Sequence, residues 1–208
     1  MKKLLKIQNP PERLKSFSRA GNKGLTYVEL IVVLGIFAVM TSVVLFNYGE
    51  FQGKVEIKNL ASEIALKIVE AQKSALSGKL PSQTIGQNWK PSFGVYFDIT
   101  TPKQFIYFVD LNDANGYEAG EALDTISIAK GSYIDKIDKC SGGSSCALGS
   151  NPISSFSVSF KRPDSQAIFS ISPSVTVTGS EYVQITVKSV KNSAGTIKIY
   201  PSGRVQVN

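Results

Sequence analysis

The 208-residue sequence contains no histidine. That removes Ser–His and Cys–His nucleophile pairs, and every histidine-ligated zinc or iron site. Cysteine is scarce as well: Cys140 and Cys146 are the only two, and without histidine they do not complete a metal centre. There is no G-x-x-x-x-G-K-[ST] phosphate loop, and no acidic pair stands out for glycoside cleavage. The chain reads as a non-enzyme. Acid is nearly missing from one end, where residues 1–24 hold seven Lys/Arg against Glu12 alone. The remainder carries 16 basic and 15 acidic residues, so almost all of the net charge of +7 sits in the leader. The body therefore has no electrostatic case for a nucleic-acid partner.

Charge is absent altogether from Leu30 to Phe46, LIVVLGIFAVMTSVVLF. Taken from Leu25 the run is 22 residues long, enough to cross a hydrocarbon core of about 30 Å. The basic residues ahead of it place residues 1–24 in the cytoplasm and the C-terminal part outside the membrane. An ordinary secretory signal would show small residues of the A-x-A kind after the run, whereas Phe46-Asn47-Tyr48-Gly49-Glu50 follows. One acid, Glu29, stands just inside the span. An ionised side chain at a bilayer centre costs roughly 2.5–3.5 kcal/mol, less near the interface, so Glu29 should have a partner.

Gly24, then Leu25-Thr26-Tyr27-Val28-Glu29, then an uncharged helix resembles the start of type IV pilins and type II secretion pseudopilins. Lys23 beside the glycine fits that pattern, and Leu25 stands where Phe or Met is commoner. The resemblance implies a prepilin peptidase/N-methylase that cuts after Gly24 on the cytoplasmic side and methylates Leu25. Glu29 would then be fifth in the mature chain, where it would neutralise the α-amine of a neighbouring subunit and set the axial register. Other implied partners are further pilins or pseudopilins, the membrane, and the inner-membrane platform protein of the assembly machine. The family's major pilins often carry proline at the position that is Phe46 here, which points to a minor pilin or minor pseudopilin. The competing reading is a single-pass, membrane-anchored extracytoplasmic β-domain that binds a ligand without polymerising, with Glu29 idle at the headgroup level.

Beyond Glu50, apolar residues fall at Val55, Leu60, Ala61, Ile64, Ala65, Ile68 and Ala71, and from Ile57 on they recur at helical spacing. Glu63 and Lys67 stand at i, i+4 on the polar face. Ser77-Gly78-Lys79-Leu80-Pro81 supplies a stop. A helix from Leu25 to Ser77 would be roughly 80 Å long. Gly49 and Gly53 interrupt it, either to let the segment stretch during assembly or to ease packing.

After Pro81 the period changes to two. Phe93–Phe97, Phe105–Val109, Thr125–Ile128, Ser155–Phe160, Val183–Lys188, and Ile197, Ile199, Val205 and Val207 around a Pro201-Ser202-Gly203 turn read as strands of one antiparallel sheet. The Tyr200–Val205 ending also resembles the last hairpin of minor pseudopilins and tip-type minor pilins. The expected fold class is α+β. It comprises a leader (1–24), a transmembrane/assembly helix (25–52), an amphipathic helix (53–80) and an antiparallel β head (81–208).

Two head features carry chemistry. In Asp110–Glu121, the residues Asp110, Asn112, Glu118 and Glu121 match positions 1, 3, 9 and 12 of a calcium loop. Ala114 and Asn115 break positions 5 and 6, so the stretch reads as a hydrated hairpin loop ahead of a calcium site, and no cofactor is expected. Pseudopilins have a similar loop that binds calcium in some members. Cys140 and Cys146 flank five small residues on the outer side of the membrane, where a disulfide is expected.

Overall fold

The computed structural model describes residues 24–80, 90–142, 146–147 and 153–208. The leader up to Lys23 and the Pro81 stop lie outside the described residues. Two compact units divide between Val44 and Leu45.

Helix α1 spans Tyr27–Leu76. Its first unit presents Val28, Ile31, Val32, Phe37, Val39 and Met40 exposed, with no compensating polar face. One 18-residue window of α1 has mean hydropathy 2.6 and none of it is buried within the chain. An exposed apolar surface of this extent marks a contact with membrane or protein, and the helix is long and apolar enough to span a membrane.

In the second unit α1 becomes amphipathic. Ile57, Leu60, Ala61, Ile64, Ile68 and Ala71 are buried, as the spacing predicts, whereas Val55 is exposed, Ala65 is half-buried and Ala75 extends the buried stripe by one turn. Each buried Ile or Leu contributes roughly 1.5–3 kcal/mol. The polar face differs in one detail: Lys67 pairs with Glu70 at 3.0 Å instead of with Glu63. Both spacings bring side chains together on a helix, and Glu70 also lets the ammonium reach over the Tyr107 ring, 5.9 Å from its centroid. The helix ends as a Schellman motif. Gly78 is left-handed (φ +68°), the Lys79 N–H reaches Ser74 O at 3.1 Å and the Gly78 N–H reaches Ala75 O at 3.1 Å.

Ten strands follow: β1 Ser92–Asp98, β2 Gln104–Asp110, β3 Ala122–Ser127, β4 Tyr133–Ser141, β5 Cys146–Ala147, β6 Ser155–Phe160, β7 Ala167–Ser172, β8 Glu181–Lys188, β9 Ala194–Ile199 and β10 Val205–Val207. They form two antiparallel sheets, ordered β3-β2-β1-β6-β7 and β10-β9-β8-β4-β5, where one sheet was expected. Alternation tells which face of a strand is buried, not which strand it pairs with. The fold class is α+β, as read from the sequence.

The core joins α1 to both sheets through Phe93, Val95, Phe97, Phe156, Val158, Val183, Ile185 and Ile197. A stack of aromatic rings runs through the first sheet, with Phe97 5.8 Å from Phe105 and 6.2 Å from Phe156. Helix and sheets are pinned at named points. The Tyr107 hydroxyl donates to Ser74 Oγ at 3.0 Å, and Gln72 Nε2 donates to Ser165 O at 3.0 Å. Gly195 of β9 has no room for a side chain, since a Cβ there would sit 2.6 Å from Ile57 Cγ2.

Candidate functional site

Gly24, Leu25 and Thr26 lie outside the helix and are exposed, Leu25 to 68%. The bond after Gly24 is therefore in non-helical chain, just ahead of the first helical residue. Nothing lies within 4 Å of a Cβ built on Gly24, and its φ is not left-handed. Among the described residues, then, nothing crowds this position.

Helix α1 starts two residues later than Leu25 because Thr26 caps it. Thr26 Oγ1 accepts the Glu29 N–H at 3.3 Å, and Thr26 O accepts the Leu30 N–H at 3.0 Å. Thr26-x-x-Glu29 is the capping-box pattern, with the acid in the first turn where the helix dipole favours negative charge. The sequence reading missed this role, although the T-x-x-E signal was there to find.

Gly49 and Gly53 of α1 have a packing role in the second unit. Gly53 is buried, and a Cβ on it would meet Ser193 Oγ at 3.2 Å and Ser189 Oγ at 3.5 Å. Gly49 O accepts a hydrogen bond from Lys191 Nζ at 3.1 Å. Both glycines thus lie under the β8–β9 turn.

The loop from Asp110 to Glu121 gathers all four residues read as possible calcium ligands. Asp110 is fully buried. Its Oδ1 accepts N–H groups of Asn112 (3.2 Å) and Asp113 (2.7 Å), and its Oδ2 accepts Asn115 N–H and Ser92 Oγ–H, both at 3.2 Å. Glu121, 4% exposed, takes the Leu111 and Glu118 N–H groups at 2.9 Å each. Asn112 Nδ2 donates to Glu118 Oε2 at 2.8 Å. Asp113 and Asn115 are left-handed, with φ of 64° and 57°, a conformation that Asp and Asn tolerate. The loop's carboxylates thus organise its own amides, and among the described residues no group of three or more His, Cys, Asp or Glu is placed to hold a metal ion.

Cys140 and Cys146 face each other across the β4–β5 register and form a disulfide. Beside it, Glu181 accepts Thr178 N–H at 2.6 Å and Thr178 Oγ–H at 2.8 Å, and pairs with Lys139 at 3.0 Å. Those contacts, the Thr178 amide foremost, hold its carboxyl down to about 2. Lys139 also donates to Thr176 O at 2.6 Å, tying the 173–180 segment to the sheet.

No family model, curated protein or solved structure matches this chain. What the site can do therefore follows from its own chemistry: an exposed non-helical segment, a capped acid-bearing first turn, an apolar helix long enough to cross a membrane and a sheet-based head.

Proposed function

We propose that the chain is a pilin-like structural subunit. A prepilin peptidase cuts it after Gly24 and methylates Leu25, and α1 then carries it into a type IV pilus or a secretion pseudopilus. The observation that carries this reading is Gly24: exposed, non-helical, uncrowded by any of the described residues, and followed by Glu29 in the first turn of an apolar helix. Cleavage would leave an α-amine at Leu25, one residue before the cap. Paired with a neighbour's amine in lipid, Glu29 would offset part of the desolvation of both charges and select one stagger between adjacent helices. The head needs no catalytic group in this role, and the absence of histidine suits it. The peptidase, sibling subunits and the inner-membrane platform protein are the partners this function requires.

The anchored-domain reading gains from one observation, since the Thr26–Glu29 cap gives the glutamate a local role without any neighbour. Glu29→Gln separates the two, because glutamine also serves at the third position of a capping box but carries no charge. Filaments sheared from the native host should contain the wild-type chain and lose the Glu29→Gln chain, with membrane levels of both unchanged. Equal recovery of the two, or absence of both from filaments, favours the anchored domain.

A further inference from the structure

Where α1 leaves its apolar run, three pieces of the second unit converge. The β8–β9 turn is closed by Ser189 N–H to Ser193 O (2.9 Å) and Asn192 N–H to Ser189 O (3.0 Å). Lys191 at its apex reaches Gly49 O, and Gly49 is only three residues past Phe46, about 4.5 Å along a helix. The β3–β4 turn packs beside it. Lys130 and Gly131 are both left-handed there, and a Cβ on Gly131 would approach Val190 Cγ2 to 2.7 Å. Between the two turns and α1 lies an open cavity of about 230 Å³, whose charged lining is Lys130 and Lys191 against Glu56. Glu56 is engaged by Ser132 Oγ–H at 3.3 Å.

The apolar exposure here is unusual for a head surface. Val190, at a turn apex between a serine and a lysine, is 72% exposed, and Tyr48 and Phe51 on α1 are 59% and 66% exposed. Two lysines beside an exposed valine, at a stretch of α1 whose other faces expose Tyr48 and Phe51, are the composition of a membrane–water interface. The headgroup layer is about 5–8 Å deep on each side of the hydrocarbon core, comparable with the about 4.5 Å of helix between Phe46 and Gly49, whose carbonyl holds the Lys191 ammonium.

We propose that this basal surface, Val190 with Lys130 and Lys191, is a docking site for the anionic headgroups of the bilayer. Val190 enters the interface and the two ammonium groups meet lipid phosphates across the cavity. The proposal rests on α1 spanning the membrane, which both functional readings share, and not on filament formation. Attraction of about one RT or more per lysine near an anionic leaflet is the expected order of effect.

The test uses the full chain in vesicles of three parts phosphatidylcholine to one part phosphatidylglycerol, or of phosphatidylcholine alone. An environment-sensitive fluorophore is attached in turn at Val190→Cys, at Val39→Cys in the span, and at Asn112→Cys, at the end of β2 opposite the β3–β4 turn. Quenching by nitroxide-labelled lipid is the readout. Strong quenching is expected at 39, partial and phosphatidylglycerol-dependent quenching at 190, and none at 112. Lys130→Gln, which leaves the Gly49 contact intact, should lower the docked-to-free ratio at 190 by about fivefold, whereas Lys191→Arg should preserve it. Quenching at 39 without quenching at 190, or quenching at 190 indifferent to lipid charge and to Lys130→Gln, overturns the proposal while leaving the span in place. Absence of quenching at 39 removes the span itself, and the docking site with it.

Discussion

Thr26 Oγ1 accepts the backbone N–H of Glu29 at 3.3 Å, so the only acid of the apolar segment sits in the capped first turn of its helix. The same four residues thus serve helix initiation now and, in the filament reading, charge pairing later. The two roles separate by substitution. Thr26→Ala should fray the first turn at a cost of about 1 kcal/mol, seen as faster amide exchange at Val28–Leu30 in detergent micelles. Glu29→Gln should leave that exchange nearly unchanged.

Gly94 in β1 lets the strand lie close against β6 and the Phe108 ring. A Cβ there would lie 2.5 Å from the backbone carbonyl of Val158 and 2.7 Å from the Phe108 ring. The carbonyl belongs to the β1–β6 ladder and has nowhere to retreat. Gly94→Ala should therefore destabilise the head by about 1–3 kcal/mol, measured as a lower urea midpoint. An unchanged midpoint would mean that the two strands are not so closely apposed.

The disulfide should matter locally. It closes a loop with a sequence separation of 6, anchored on a two-residue strand. The chain-entropy relation gives at most about 2 kcal/mol for so short a loop. A Cys140→Ala/Cys146→Ala chain should keep its fold and lose a modest part of its denaturant midpoint, with a reductant producing the same shift in the wild type.

Glu181 gives the head an acid limit. Its carboxyl titrates near 2 in the folded chain instead of 4.5. Its contribution is therefore complete above about pH 4.5 and is lost as the pH falls from there through 2. The 173–180 segment, held by Lys139 and Glu181, should stay ordered at pH 4 and loosen towards pH 2. Carbon-detected titration of the Glu181 carboxyl checks this, and a midpoint near 4.5 would contradict it.

The sequence made α1 legible because hydropathy and the 3.6-residue period act along one continuous stretch. Its Gly78 stop was legible because a left-handed residue is needed there. Strands with strict alternation, such as Ser155–Phe160, were found to the residue. Tyr133–Ser141 was missed. Charged Asp and Lys residues interleave its apolar ones, and a bulge between Ile134 and Lys136 breaks the period. Ala167–Ser172 was missed too, as an edge strand with mostly half-exposed side chains that leaves little alternation to read. The roles of Gly49 and Gly53 depend on a turn some 140 residues away in sequence, which no local pattern encodes. At the candidate site, Gly24, Leu25 and Glu29 stand out through the family resemblance, whereas the Thr26 cap is carried by the T-x-x-E spacing at the start of the helix.

The most direct test is the mass of the N-terminal peptide from native-host membranes, with Gly24→Ala alongside. A mature chain beginning at methylated Leu25, absent from the Gly24→Ala strain, is the predicted result. An intact Met1 end, or a cut beyond Phe46, would contradict it, because Glu29 would then have no α-amine to meet.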